Sequence, residues 1–311
     1  MKKYILVRLL YMVIAIALIV SITFLLLQFM PGSPFNDLQL TPEQRVLLDE
    51  KYGLNDPIPV KYARYVSNLF HGELGTSFIF NNQDVSDMIA ARMSSSVRVG
   101  LQALVCGSVI GVLLGIVAAL KRNSFWDHLT TIIAVIGVSI PAFVIGSLMQ
   151  YYFGVKMAIL PVIYDKGNAA STIMPTIALA FSVIATTAKY MRNELVDIIN
   201  SDYILFARSK GLTGSEVIIK HAVRNALIPV VTILGPMTIS LITGSTVVER
   251  IFSVPGLGNL LVTSIQNNDY FVILGEGLVF SLMFLSVVLV VDILYGLIDP
   301  RIRLAGGNRN E

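Results

Sequence analysis

Long stretches without charged residues recur along the chain and organise it. Five stretches contain no Asp, Glu, Lys or Arg, and a sixth is interrupted only by Asp292; they span residues 9–36, 99–120, 128–155, 167–188, 225–248 and 277–298. Each stretch is long enough for the roughly 20 helical residues that cross a hydrocarbon core of about 30 Å. The pattern therefore predicts an all-α membrane protein with six transmembrane helices.

Composition supports a membrane protein and argues against a water-soluble enzyme. Only 14% of the 311 residues are charged and 55% are hydrophobic, whereas an ordinary soluble domain carries about 25% charged residues. The first apolar run follows Lys2, Lys3 and Arg8, as a signal peptide would. However, Leu9 to Phe29 is longer than a signal-peptide core of roughly 7–15 residues, and no small-x-small cleavage site follows. We therefore predict a transmembrane helix there.

The distribution of cations predicts the orientation, because cytoplasmic loops are enriched in Lys and Arg. With a cytoplasmic N-terminus, 14 of the 23 Lys and Arg residues lie inside. Six of the nine others lie in the long segment 31–98, where the rule is weak. We expect a multi-pass membrane protein with both termini cytoplasmic. The net charge of +3 then reflects topology and membrane lipid rather than nucleic-acid binding.

The outer segment 31–96 has the pattern of a small extracellular helical subdomain. Thr41, Pro42 and Gln44 form a capping-box start, and Gly53 stands where that helix should stop. A second helix should carry Ile58, Tyr62, Tyr65 and Leu69 on one face and end before His71. The predicted division is then a first transmembrane helix at 1–30, this subdomain at 31–96, a five-helix core at 97–303 and a cytoplasmic tail at 304–311.

Two patterns inside the spans concern helix packing and bending. Small residues recur every fourth position in the second span, which allows another helix to approach closely; they are Ala103, Gly107, Gly111, Gly115 and Ala119. In the third and fifth spans, residues that favour kinks or breaks are Pro141, Pro229, Gly235 and Pro236. Bent helices can line a transport pathway, and a static kink tolerated by neighbouring helices is the alternative.

The longest cytoplasmic loop, 191–224, predicts a compact helix-turn-helix. Ser201 or Asp202 can cap a short helix through Lys210, and Gly211 can end it. Thr213 or Ser215 can start another helix through about Arg224. Ala207 and Gly211 leave a shallow spot for a partner backbone, flanked by Arg208 and Lys210. The alternative is a basic loop that contacts anionic lipid.

Several motifs in this loop and elsewhere carry a family resemblance. The loop contains ARSKG and, nine residues later, HAVRNALIP. Other motifs are PGSPF at 31–35, KYGLNDPIPVKY at 51–62, HGELGTSF at 71–78, ERIFSVPGLGNLL at 249–261 and DILYGLIDPRIR at 292–303. Together they resemble the oligopeptide/dipeptide branch of the bacterial ABC importer permeases. Leu205, Phe206 and Ala207 replace the E-A-A of the generic loop pattern and Arg224 replaces its proline, which suits this branch.

The resemblance implies a type I ABC importer permease fold, a location in the bacterial plasma membrane and a peptide-import function. It assigns Ala207, Arg208, Lys210 and Gly211 to coupling with a separate ATPase through the loop at 200–224, with His221 as support. The implied partners are a second homologous permease, two ABC ATPase subunits that bind ATP and Mg, and an extracytoplasmic peptide-binding protein. Nickel importers use similar permeases and are the alternative; peptide length and sequence preference cannot be read from this chain.

The chain itself contains no pattern for ATP hydrolysis, metal binding or other catalysis. It has no Gly-Lys dipeptide and therefore no phosphate-binding loop, no H-E-x-x-H and no G-x-S-x-G. Asp292 is the one acid inside a predicted span, and a buried acid there should face protein or water. An autonomous ion-coupled secondary transporter is the less favoured alternative that this residue suggests. A structural aspartate is the interpretation we prefer.

Overall fold

The computed structural model describes residues 2–32, 35, 41–242 and 246–298. In these ranges the chain is almost entirely helical, with one isolated antiparallel bridge between Thr76 and Asp84. The α-helices are α1 (Lys2–Gln28), α2 (Pro42–Lys51), α3 (Ile58–Phe70), α4 (Val85–Leu120), α5 (Phe125–Ser139), α6 (Ala142–Met149), α7 (Ile173–Ile199), α8 (Asp202–Ser209), α9 (Gly214–Glu216), α10 (Arg224–Ile242), α11 (Thr246–Ile251), α12 (Leu257–Gln266) and α13 (Tyr270–Ile298).

Helices long and apolar enough to cross a membrane correspond to the predicted spans. Five are continuous: Leu6–Gln28, Val85–Leu120, Ala169–Ile199, Gly214–Ile242 and Tyr270–Val291. The sixth is broken, because α5 and the segment Ala142–Lys156 meet at a bend of 99°. Pro141 precedes the first residue of α6 and lacks the N–H that a continuous helix would need. The predicted six-helix fold is confirmed, with one span broken at the predicted proline.

The chain divides into two compact units, Met1–Ser94 with Pro255–Ser286, and Ser95–Val254 with Val287–Glu311. The first boundary lies close to the predicted end of the outer subdomain at residue 96. Residues 255–286, which the sequence division placed in the core 97–303, belong to the first unit instead. Their apolar faces pack there, since Leu257 and Leu260 join a buried cluster with Val85 and Met88.

The first unit contains both predicted outer helices, and the predicted capping box of the first one is confirmed. Thr41 accepts from the Gln44 N–H and the Gln44 side chain accepts from the Thr41 N–H, so a capping box starts α2. Gly53 follows α2 with a left-handed φ of +64°. The predicted second helix is α3, which ends at Phe70 before His71. Its Tyr65 is buried with Phe24 and Leu27 of α1.

A buried carboxylate holds the loop before α4 against the start of α13 in the first unit. Asp269 accepts hydrogen bonds from the Ser77 hydroxyl and from the Phe78 N–H at 3.2 Å. Burial raises the pKa of Asp269, and these hydrogen bonds oppose the rise by stabilising the charged form. The Asp269 carboxylate thus accepts hydrogen bonds from a hydroxyl and a backbone N–H that would otherwise be buried without a partner.

The second unit is built on the predicted small-residue stripe of α4. A Cβ placed on Gly107 would lie 2.6 Å from the Val183 Cβ, and one on Gly111 would lie 2.7 Å from the Thr187 Cβ. A Cβ placed on Gly115 would lie 2.6 Å from the Met191 Cβ. Glycines spaced by four on α4 therefore face residues spaced by four on α7, which confirms the predicted close helix contact.

Candidate functional site

The loop between α7 and α10 forms a short exposed helix with one buried face. Ile204 and Ala207 of α8 lie in a buried cluster with Val217 and Ala222. Their spacing of three residues places them on the same side of one helical turn. The helix α8 is therefore fixed to the segment that continues into α10, and a force applied to α8 would be passed to that span.

Burial of Ala207 corrects one part of the sequence interpretation. Only 8% of Ala207 is exposed, so this alanine packs against its own chain and does not form a surface spot for a partner. Gly211 lies on the surface as predicted, with a φ of +81°, and a Cβ added to it would meet no atom within 4 Å. Its N–H donates to the Arg208 carbonyl at 2.9 Å, which ends α8.

The outward side of α8 carries two large apolar side chains that sequence reasoning did not assign to the site. Leu205 is 67% exposed and Phe206 is 61% exposed. The Lys210 Nζ lies 4.5 Å from the centre of the Phe206 ring, a cation–π distance. We call Leu205, Phe206, Arg208 and Lys210 the α8 knob. The signal was present in the sequence, because a buried Ile204–Ala207 face forces the intervening Leu205 and Phe206 outward.

The start of α8 differs in detail from its prediction. Ser201 occupies the capping position but makes no capping hydrogen bond to the helix. Its hydroxyl donates instead to the Ile198 carbonyl of α7 at 2.6 Å. The serine therefore ties the end of α7 to the start of α8 and leaves only a short connection between the two helices.

The second arm of the predicted helix-turn-helix does not end near Arg224. Thr213 and Glu216 form a capping box at the start of α9, as the sequence predicted for Thr213. The helix then continues as a π-helix over Val217–Val223 and passes directly into α10. Single π-helical turns inside helices are often found at functional sites. The arm and the fifth span are thus one continuous helix, Gly214–Ile242.

His221 lies in the π-helical part of this arm, away from the exposed tip. With Lys220, Arg224 and Asn225 it lines a surface recess of about 550 Å³. The Asn225 side-chain amide donates to the Tyr203 hydroxyl at 3.0 Å, which links this recess to α8. His221 therefore belongs to the arm that continues into α10 and is not part of the α8 knob.

A buried ion pair, which sequence reasoning missed, joins the start of α5 to the last part of α7. Arg192 donates to both Asp127 oxygens at 3.0 Å, from Nε and from one terminal nitrogen. Asp127 is only 3% exposed, and the Asn123 N–H completes its hydrogen bonding at 2.9 Å. The bidentate pair fixes α7 eight residues before the loop that leads to α8.

A groove lined by both polar and apolar side chains runs between α5 and α7 and includes Arg192 of this ion pair. Its volume is about 440 Å³; the polar lining residues are Thr130, Thr131, Ser139, Lys189, Arg192 and Asn193, and the apolar ones are Ala134, Val135, Val138 and Ala188. A Cβ on Gly137 would lie 2.6 Å from the Ala185 Cβ, so the two helices touch. Hydroxyl, amide and cationic groups along spanning helices are expected to face water or protein rather than lipid. The groove can therefore hold water and polar ligand groups.

The predicted bending residues of the fifth span lie inside an unbroken helix. Pro229 and Pro236 are both interior to α10, so neither of them breaks it. A Cβ on Gly235 would lie 2.5 Å from a methyl group of Val291, and the glycine thus lets α13 approach. Whether α10 bends during transport stays a prediction.

Two acids lie on α13, and only one was singled out from the sequence. Asp292 is part of this helix, but its side chain lies outside the described residues. Glu276 lies just before the predicted stretch 277–298, yet α13 begins at Tyr270 and buries Glu276 completely. It attracts the Arg92 guanidinium electrostatically.

In the part of the chain that the structure describes, no group of three or more His, Cys, Asp or Glu side chains could hold a metal ion.

Family profiles and curated relatives match this chain over nearly its full length. The profile described as "Binding-protein-dependent transport system inner membrane component" matches residues 111–304. A second, described as "Binding-prot-dependent transport system membrane comp, N-term", matches residues 1–99. The chain is 44% identical to the dipeptide transport system permease protein DppB of Lactococcus lactis subsp. cremoris, over 98% of this chain and 100% of the relative.

Two further relatives and one solved structure agree with this. DppB of Bacillus subtilis is 37% identical over 98% of this chain and 99% of its own. The oligopeptide transport system permease protein OppB of Haemophilus influenzae is 36% identical over 97% of this chain and 100% of its own. A crystal structure of an amino acid ABC transporter with histidines matches with a TM-score of 0.50 at 18% identity, over 67% of this chain and 93% of that chain. That match shows the fold.

Proposed function

Because this chain belongs to the family of binding-protein-dependent transport system inner membrane components, we propose that it is the permease subunit of an ATP-driven importer of dipeptides or oligopeptides. The observation that carries the proposal is full-length similarity to permeases named for dipeptide and oligopeptide transport. Those names favour peptides over nickel as the substrate class. The chain would form half of the translocation pathway, with a homologous permease forming the other half.

The groove between α5 and α7 is our candidate for this chain's share of the pathway. Its threonine, serine and asparagine side chains can hydrogen-bond to peptide groups of any sequence. Lys189 is exposed and offers a cation to a peptide carboxylate. Sequence-tolerant contacts of this kind suit a pathway in which a separate peptide-binding protein selects the cargo.

The α8 knob is our candidate for the contact with a cytoplasmic ATPase. Burial of a Leu or Phe side chain contributes about 1.5–3 kcal/mol, so Leu205 and Phe206 can supply most of a docking contact. Arg208 and Lys210 add charge, and Gly211 keeps the tip free of a side chain. We assign Ala207 to packing under the knob and His221 to support behind it.

ATP and Mg would bind to the partner ATPases, and their closure would move α8. Ile204 and Ala207 connect α8 to the arm of α10, and Ser201 connects it to α7. To shift the permease almost completely from one conformation to the other, from 1:99 to 99:1, the ATPases must bind the favoured conformation about 5.5 kcal/mol more tightly than the other. ATP binding to two ATPases can supply this if the docked geometries differ. The proposed topology places the knob and both termini in the cytoplasm, as the cation distribution favours.

The test is ATP-driven peptide uptake by the complete assembly in liposomes. Replacing Phe206 with Ala removes the largest apolar contact of the α8 knob, and we expect uptake to fall on the order of tenfold. The matched control is Phe70→Ala, because Phe70 is also an exposed phenylalanine but lies on α3 in the first unit. Uptake by the Phe206→Ala variant at the level of the Phe70→Ala control would contradict the docking assignment.

A further inference from the structure

A small cavity in the first unit lies where two spanning helices reach one membrane surface. Phe24 and Leu27 come from the last turns of α1, and Phe271 and Leu274 come from the first turns of α13. The helix α3 closes the cavity with Tyr65. The enclosed volume is about 70 Å³, and its walls consist mostly of aromatic and aliphatic carbon.

Tyr65 supplies a buried hydroxyl to this cavity that makes no hydrogen bond among the described residues. The residue is 4% exposed, and its ring stacks on Phe24 with the ring centres 5.9 Å apart. Its neighbour Tyr62 differs, because the Tyr62 hydroxyl lies 2.6 Å from the Ser21 hydroxyl oxygen. Buried hydroxyls are nearly always paired. The Tyr65 hydroxyl therefore indicates an acceptor that occupies the cavity.

The protonation state of the Tyr65 hydroxyl determines which kind of group can accept its hydrogen bond. Burial raises the pKa of Tyr65 above its usual range, so the group is a neutral O–H donor at any physiological pH. An uncharged carbonyl or ester oxygen suits such a donor in an apolar setting. Water is the competing occupant, because each buried water needs two to four polar partners and the polar side chains of Gln28 and Asn68 also line the cavity. Lipid retention by a variant without the hydroxyl separates the two occupants.

Cationic side chains stand at the rim of the same cavity. The Lys61 ammonium group donates to the Leu54 carbonyl at 3.2 Å, which uses only one of its three N–H bonds. Arg64 pairs with Asp56 at 2.7 Å and is half exposed. Apolar walls, a hydroxyl donor and cationic groups thus line one cavity. A glycerophospholipid offers the complementary groups, which are an acyl chain, an ester carbonyl and a phosphate.

We propose that this cavity holds the ester region of one membrane phospholipid. The ester carbonyl accepts from the Tyr65 hydroxyl, the first acyl methylenes lie against Phe24 and Leu27, and the phosphate lies near Lys61. The cavity is too small for a whole lipid, and the remaining acyl chain lies along α1, whose surface is mostly exposed in the chain. The lipid then joins α1, α3 and α13 at the membrane surface.

The experiment is lipid titration of the delipidated, purified assembly, with native mass spectrometry as the readout and phosphatidylglycerol as the probe. Tyr65→Phe keeps the ring and removes only the hydroxyl. We expect this variant to retain the tightest-bound lipid on the order of fivefold less than the wild-type assembly. The matched control is Tyr62→Phe, which removes a hydroxyl from the same helix outside the cavity and should leave retention unchanged. A phosphatidylglycerol with a photoreactive acyl chain should crosslink to Phe24 or Leu27.

Three results would overturn the proposal. The first is equal lipid retention by the Tyr65→Phe and Tyr62→Phe variants. The second is displacement of the lipid by millimolar inorganic phosphate, which would identify a free-phosphate site at the rim. The third is loss of binding-protein association in Tyr65→Phe with unchanged lipid retention, because the cavity would then receive a protein side chain. Both variants should keep a cooperative melting transition in detergent without added lipid, and that of Tyr62→Phe should lie slightly lower because this variant loses the hydrogen bond to Ser21.

Discussion

The Asp127–Arg192 pair shows how two single residues hold α5 and α7 together. Two parallel hydrogen bonds of 3.0 Å and a third from the Asn123 N–H satisfy the buried carboxylate. A pair of this kind stabilises a structure chiefly because removal of either partner leaves the other one desolvated and uncompensated. The pair therefore connects α5 and α7 more firmly than an exposed ion pair would.

We predict that Asp127→Asn lowers the stability of the assembly by about 2–3 kcal/mol. The change leaves the Arg192 guanidinium partly buried without its anionic partner, and it halves the acceptor capacity at position 127. Thermal unfolding of the purified assembly measures the effect. Lys220→Gln is the control, because it breaks the exposed pair with Glu216 and should leave the melting temperature essentially unchanged. An equal melting temperature for both variants would show that the buried pair is dispensable.

Sequence reasoning missed this pair for a physical reason. Asp127 stands one residue before an uncharged stretch, and Arg192 stands a few residues after another. Each residue alone is typical of a membrane-interface charge, and only the crossing of α5 and α7 brings them together. The same holds for Tyr65, because its apolar-face position was predicted while its unpaired hydroxyl depends on α1 and α13. Local patterns predict which face is buried, not what a buried polar atom meets.

At the scale of elements, the contact between α4 and α7 depends on backbone approach. A Cβ on Gly111 would lie 2.9 Å from the Ile184 carbonyl oxygen as well as 2.7 Å from the Thr187 Cβ. A backbone atom cannot rotate away as a side chain can, so the two helices would have to separate. The period of four in the sequence was sufficient to predict the close approach of another helix, because a helix repeats every 3.6 residues. It did not indicate that the partner would be α7.

We therefore predict that Gly111→Val destabilises the second unit by at least about 1–3 kcal/mol, the usual cost of overpacking a well-packed core. Val109→Leu, at an exposed position of the same helix, is the control and should have little effect. The measurement is the melting temperature of the assembly together with its yield after membrane extraction. If Gly111→Val matched Val109→Leu, the helices would be shown to tolerate separation at this point.

Element boundaries were predicted less well than element existence. The arm that begins at Thr213 continues through a π-helix into α10, although the pattern suggested an end near Arg224. Nothing local stops the helix there, since neither Gly nor Pro interrupts the run from Ser215 to Leu227. Pro141 did break its helix, whereas Pro229 and Pro236 did not. Whether a helix breaks at a proline depends on how neighbouring helices pack against it. The sequence of one segment contains no information about that packing.

At the scale of the whole molecule, charge-free stretches predicted the six-span architecture because bilayer thickness fixes helix length. The division into two units could not be predicted in the same way. Residues 255–286 join the first unit through long-range packing of α12 and α13. The family motifs predicted the transport function without indicating that division, since motif order along the chain carries no information on which distant segments pack together.

The absence of a phosphate-binding loop in this sequence leads to a last prediction about the whole chain. A permease that relies on a separate ATPase has no energy source of its own, so the purified chain in liposomes should not accumulate a labelled dipeptide, with or without a proton or sodium gradient. Reconstitution with the proposed partners, which are a second permease, two ATPases and a peptide-binding protein, together with Mg-ATP should restore uptake. The control is the complete assembly with ADP, which should resemble the chain alone. Gradient-driven accumulation by the isolated chain would identify an autonomous secondary transporter, and the ATPase-docking role of the α8 knob would then have no basis.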